Sequence, residues 1–122
     1  MEQYWEQLPE NCPPNSSVDI AYSAFRIVFG DPLEKYRDFS SQAELGRPCP
    51  PKREPCHHRS CSLLPGRLQA LNVAALPGLR AKAPRLAIID IPKGAGKSIV
   101  EEKHVHFWMY SSFDPIADSK LG

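Results

Sequence analysis

The chain has 122 residues and a formal charge of +1, from 15 Lys plus Arg against 14 Asp plus Glu. That length allows one modest hydrophobic core and is short for two. So even a charge balance supplies no field that would gather nucleic acid or an anionic membrane, so neither is expected as a partner. No apolar run approaches the ~18 residues that a bilayer span needs, and Met1 to Glu6 has neither the basic start nor the apolar middle of a secretory signal, which points to a cytosolic protein.

Residues 1–17 read as a polar, proline-broken segment ahead of a single domain over 18–118, with 119–122 as a tail. Within Val18 to Phe29, the run Phe25-Arg26-Ile27-Val28-Phe29 alternates, which predicts a first strand with Phe25, Ile27 and Phe29 on its core face. Asp31-Pro32-Leu33-Glu34 has the aspartate, proline and acidic third position of a helix start, so a short helix through about Asp38 follows. From Arg47 to Ser60 the residues are Pro, Cys, Lys, Arg and His with little to bury, which places a loop on the surface.

Cys61-Ser62-Leu63-Leu64 suits a short strand, and Leu68, Leu71 and Ala75 recur at helical spacing before Pro77-Gly78, giving a helix over about 66–76. Leu86 to Ile91 is β-branched and apolar on both faces, as in a central strand. Further strands are expected over 99–102 and 104–110. The fold class is therefore α+β: a small, mostly antiparallel sheet from 25–29, 86–91, 99–102 and 104–110, with one or two short helices on one side.

Pro92-Lys93-Gly94-Ala95-Gly96-Lys97-Ser98 invites comparison with a phosphate-binding loop. That loop needs a glycine five residues before its Gly-Lys-Ser and a helix after it. Ile91 occupies the first position, and Ile99-Val100 favours strand after Ser98, so the glycines read as a hairpin connection. Four cysteines would permit three disulfide pairings, but without a signal peptide free thiols are expected. Cys49, Cys56, His57 and Cys61, with His58 alongside, are of ligand types that suit zinc. Their spacing, Cys-x6-Cys-x4-Cys, lacks the paired knuckles of structural zinc sites, so a zinc-stabilised interaction module is only an alternative.

His104, His106, Trp108 and Tyr110 alternate along one strand, with Val105, Phe107 and Met109 turned inward. The four would form a row on one face, about 6 to 7 Å apart. Imidazoles that donate, accept or ligate, beside an indole and a phenol, suit a ligand pocket or a protein interface. The competing reading is a second core layer whose polar tips are tied to the backbone.

The order of short motifs resembles a class of small uncharacterised bacterial proteins: Phe25-Arg26-Ile27-Val28, Asp31-Pro32, Asp38-Phe39-Ser40, Glu44-Leu45-Gly46, Cys61-Ser62-Leu63, Leu76-Pro77, and His104-x-His106-x-Trp108 with Asp114-Pro115. More remotely, the layout is similar to ADP-ribosyltransferase-like domains, although the Ser-Thr-Ser pattern of those domains is missing. That resemblance implies catalytic roles for Arg26, Ser62 and Glu101 or Glu102, and NAD as cofactor. On the residues themselves, Arg26 reads as a solvent-facing side chain of an edge strand. The reading taken forward is a small binding or accessory protein, without cofactor or catalysis of its own, that offers the His104, His106, Trp108 and Tyr110 face to a small ligand or a protein partner.

Overall fold

A computed structural model describes residues 3–121. In chain order its elements are β1 (Tyr22–Val28), α1 (Lys35–Phe39), α2 (Pro55–His58), β2 (Cys61–Leu63), α3 (Arg67–Ala74), α4 (Pro77–Arg80), β3 (Arg85–Ile91), β4 (Gly96–Val100), β5 (Val105–Met109) and β6 (Ser119–Leu121). The fold is α+β, but the strands divide into two antiparallel sheets, β1-β3-β6 and β2-β5-β4. Backbone pairs stitch the sheets together: Phe25 with Leu64, and Val18 with Ser98, each exchanging two hydrogen bonds of 2.8 Å.

The core lies where the sheets meet and includes Ala24, Val28, Phe39, Leu63, Ile89, Val105 and Phe107. Each large apolar side chain buried there contributes about 1.5–3 kcal/mol. β3 is the middle strand of its sheet, as its two-sided apolar run requires. On β1 the faces are the reverse of those expected. Ala24 and Val28 turn to the core, while Phe25, Ile27 and Phe29 line an open groove beneath α3 and α4. Alternation alone does not say which face is inward when both are partly covered.

One buried acidic group, Asp38, is structural. Asp38 is 2% exposed, and its carboxylate accepts the N–H groups of Phe29 (3.0 Å), Gly30 (3.0 Å) and Glu34 (2.9 Å). Burial raises its pKa, but the donors from Glu34, Phe29 and Gly30, with the Arg37 guanidinium, outweigh it and hold the carboxyl below its ordinary range. The helix start is thus set by Asp38 reaching back to Glu34, the cap residue, rather than by Asp31.

The glycine loop is a crossover. β3 and β4 belong to different sheets, so Gly94 to Gly96 is not a hairpin. Gly94 has φ +93°, and a Cβ on Gly96 would lie 2.2 Å from the Trp108 carbonyl oxygen, so the chain can cross here only because both are glycine. The hairpin is one element later, where β4 and β5 pair from Gly96 with Met109 to Val100 with Val105. Ser98 lies in β4, its hydroxyl 2.6 Å from that of Tyr22, and among the described residues no helix follows it.

Of the expected N-terminal segment over 1–17, Met1 and Glu2 lie outside the described residues, and 3–17 do not run free of the domain. Trp5 N–H donates to Met109 at 3.0 Å, Tyr4 and Tyr110 rings lie 5.1 Å apart, and Lys35 Nζ sits 4.5 Å from the Trp5 ring centre. Further along, Cys12 is disulfide-bonded to Cys56, with Cα atoms 5.5 Å apart, which corrects the expectation of free thiols. Sequence distance concealed this pairing. The expected tail supplies β6, which pairs with β3. In α3 the expected apolar face is also displaced: Ala70 is the buried residue, and Leu68 and Leu71 are exposed. Pro77, expected as a stop, instead begins α4 from its first position.

Candidate functional site

The expected row on β5 divides into three environments. Trp108 is 2% exposed, so it is no part of an open binding face. The loop over 47–60 supplies its cover: the indole N–H donates to the Cys56 carbonyl at 3.0 Å, and the His57 ring lies 6.1 Å away. α2 forms in that loop because Pro55 suits a first helical position and the Cys12–Cys56 link anchors it. Tyr110 is occupied with Tyr4. His104 and His106 remain half-buried at the surface.

Around these two histidines the β4–β5 turn and α2 assemble a cluster. Glu101 N–H donates to the His104 carbonyl at 2.8 Å, closing the turn that carries Glu101 to His104. His104 Nδ1 lies 3.3 Å from His106 Nε2, which in turn lies 3.1 Å from Glu101 Oε1. The His57 ring stacks on His106 with centres 4.4 Å apart and planes at 21°. Ser62 sits opposite His106 in the β2–β5 register and so shares its face. Burial, then the adjacent His106, lowers the His104 pKa, and burial, then His57, lowers that of His106 against the opposing pull of Glu101. Neutral imidazoles with available lone pairs are therefore favoured at neutral pH.

Ser60, His106 and Glu101 also make a chain that resembles a nucleophile, base and orienting acid, since Ser60 Oγ lies 3.3 Å from His106 Nδ1. Ser60 is a poor nucleophile here. It is 2% exposed, and its hydroxyl proton goes to the His57 carbonyl at 2.7 Å.

The zinc set read from sequence does not converge. Cys56 is in the disulfide, Cys61 is buried in the core, and Cys49 is exposed, its thiol 3.2 Å from the Arg53 carbonyl. His57 alone of that set joins the cluster. His58 is buried with Nε2 on the Arg47 carbonyl at 2.9 Å. Sequence reasoning missed Glu101 as a partner of the histidines, and Ser60; the short turn between period-2 segments at 99–102 and 104–110 was the available signal for the first.

Arg26 is not the solvent-facing residue expected. Its guanidinium donates to the carbonyls of Ser62 (2.7 Å), Asp38 (2.9 Å) and Ser40 (3.1 Å), tying β1 to β2 and to the end of α1. Arg26, Ser62 and His104 nevertheless line one groove of about 230 Å³, together with Phe25, Leu64 and Val73. Glu102 is exposed on the β4–β5 turn. No described helix is long and apolar enough to cross a membrane. No protein-family model, characterised protein or solved structure matches the chain.

Proposed function

We propose that this chain is a small ligand-binding protein that takes its ligand at the histidine face formed by His104, His106 and Glu101, without catalysis of its own. The observation that carries the reading is the convergence of three imidazoles and a carboxylate on a half-exposed face. Hollows adjoin it on both sides: His104 lines the apolar groove, and His106 lines a charged one with Lys52, Arg53 and Glu54. A structural histidine is ordinarily tied to a backbone carbonyl, as His58 of α2 is here, whereas His104 and His106 are tied to each other and to Glu101.

A screen of chemically diverse small molecules by amide-shift mapping tests this. Binders should shift residues 57, 62 and 99–106, and His104→Ala/His106→Ala should remove those shifts while the melting temperature stays within about 3 °C, as for a site that does not build the core. Binding that maps elsewhere, or that survives the double variant, would count against the reading.

A second reading, an ADP-ribosyltransferase-like enzyme, is favoured by one observation: Arg26 and Ser62 share the groove with His104. Against it, Arg26 spends three of its donors on backbone carbonyls, which leaves it poorly placed to clamp a dinucleotide. Titration with NAD decides, since under this reading residues 26, 62 and 101 shift together and otherwise they do not. The cytosolic location expected from the sequence bears on either reading through Cys12 and Cys56, because that pairing suits an oxidising compartment and would be held reduced in the cytosol.

A further inference from the structure

We propose that Glu101, His104 and His106 form a binding site for a divalent first-row transition ion such as zinc, with water or an outside ligand completing the coordination. The proposal rests on the ligand-binding reading above and names its ligand class. One donor atom from each of the three residues lies within 4.8 Å of the others. The two closest separations are 3.3 Å between imidazole nitrogens and 3.1 Å from nitrogen to carboxylate oxygen. A tetrahedral ion with metal–donor distances of about 2.0–2.1 Å sets its donors about 3.3 Å apart. Glu101 is exposed on the turn and free to close the third edge.

Proton accounting leads to the same place. Ser60 has one hydroxyl proton and gives it to the His57 carbonyl, so towards His106 Nδ1 its oxygen can only accept. The tautomer that satisfies this contact therefore puts the proton on His106 Nδ1. In the neutral ring Nε2 is then a bare lone pair, and it faces a carboxylate oxygen at 3.1 Å, acceptor against acceptor. In that tautomer the pair requires a cation between them, whereas in the other Nε2–H donates to the carboxylate.

A metal ion meets the requirement with Nε2 and the carboxylate as ligands. Nδ1–H on Ser60 then acts as the supporting hydrogen bond that fixes the tautomer of a ligating histidine. The His57 stack holds the ring plane. Three protein donors leave a coordination position open, as in sites that bind an exchangeable ligand through the metal. The adjoining hollow of about 440 Å³, with Lys52, Arg53 and Glu54 on its wall, gives such a ligand room beside the ion.

The test is calorimetric titration of zinc chloride into the full chain and into a Cys49→Ser variant, which removes the exposed thiol as a competing ligand. One ion per chain should bind to both. Glu101→Gln should weaken binding at least 10-fold, Ser60→Ala by about 10-fold through the lost supporting bond, and His104→Ala/His106→Ala should abolish it. Glu101→Gln lies on an exposed turn, so circular dichroism should show an unchanged fold. Zinc binding that is lost only in Cys49→Ser, that is unmoved by the histidine variants, or that is absent altogether overturns the proposal. Small molecules that still map to the histidine face in that last case would leave the binding reading standing without the metal.

Discussion

Removing the Cys12–Cys56 link should be the most damaging conservative change in the N-terminal half of the chain. The paired residues are 44 positions apart. On the chain-entropy account, closing a loop of that length stabilises the fold by about 4 kcal/mol, out of a total of about 5–15 kcal/mol for a domain. Cys12→Ser/Cys56→Ser should therefore lower the melting temperature by roughly 10–20 °C. The same change releases α2 from the N-terminal segment, and the Trp108 indole N–H loses a fixed acceptor at the Cys56 carbonyl, so tryptophan emission should move to the red before global unfolding. Thiol titration gives an independent check. Unreduced native protein should show one fast thiol, exposed Cys49, and a second only on unfolding, because Cys61 is buried and its pKa is raised by that burial. Four thiols in the unreduced, unfolded chain, or a double variant that melts within about 2 °C of the parent, would refute the pairing and the energy assigned to it.

Other consequences concern the charged groups of the core. Asp38→Asn should cost about 2–3 kcal/mol in urea unfolding, because three N–H groups lose a charged acceptor that is itself buried. Since the folded pKa of Asp38 is depressed, its contribution is fully present above the unfolded carboxylate value of about 3.9 and is lost as pH falls through the folded value. The variant should therefore lack that part of the acid-induced loss of stability, and an unchanged acid profile would contradict the role. Arg26→Met should cost about 3 kcal/mol by stranding the carbonyls of Asp38, Ser40 and Ser62, and a change below about 0.5 kcal/mol would show that the guanidinium is not the link between β1 and β2.

The sequence made the local elements legible and the tertiary partners much less so. The two-sided apolar run of Leu86 to Ile91 and the alternation of Val105 to Met109 located two strands, and α3 falls within its expected span. Alternation carries no information on sheet membership, so the glycine loop read as a hairpin when it is the step from one sheet to the other. The same limit applies to Trp108. Its place beside His106 on an alternating strand is legible, but whether that face is open depends on a loop some 50 residues earlier and on a disulfide to Cys12. Arg26 was misread for a related reason, since its three acceptors are backbone carbonyls that leave no mark in residue identity. His104 and His106 were visible because they lie two apart. Glu101 joins them only through the bend of the turn, and His57 through the seat of α2.

X-ray absorption at the zinc edge, on protein loaded with one equivalent of zinc, tests the account of the histidine face most directly. The account predicts a shell of nitrogen and oxygen at about 2.0–2.2 Å with the scattering pattern of two imidazoles, lost in His104→Ala/His106→Ala. A shell containing sulfur at about 2.3 Å would place the ion on a cysteine instead and contradict it.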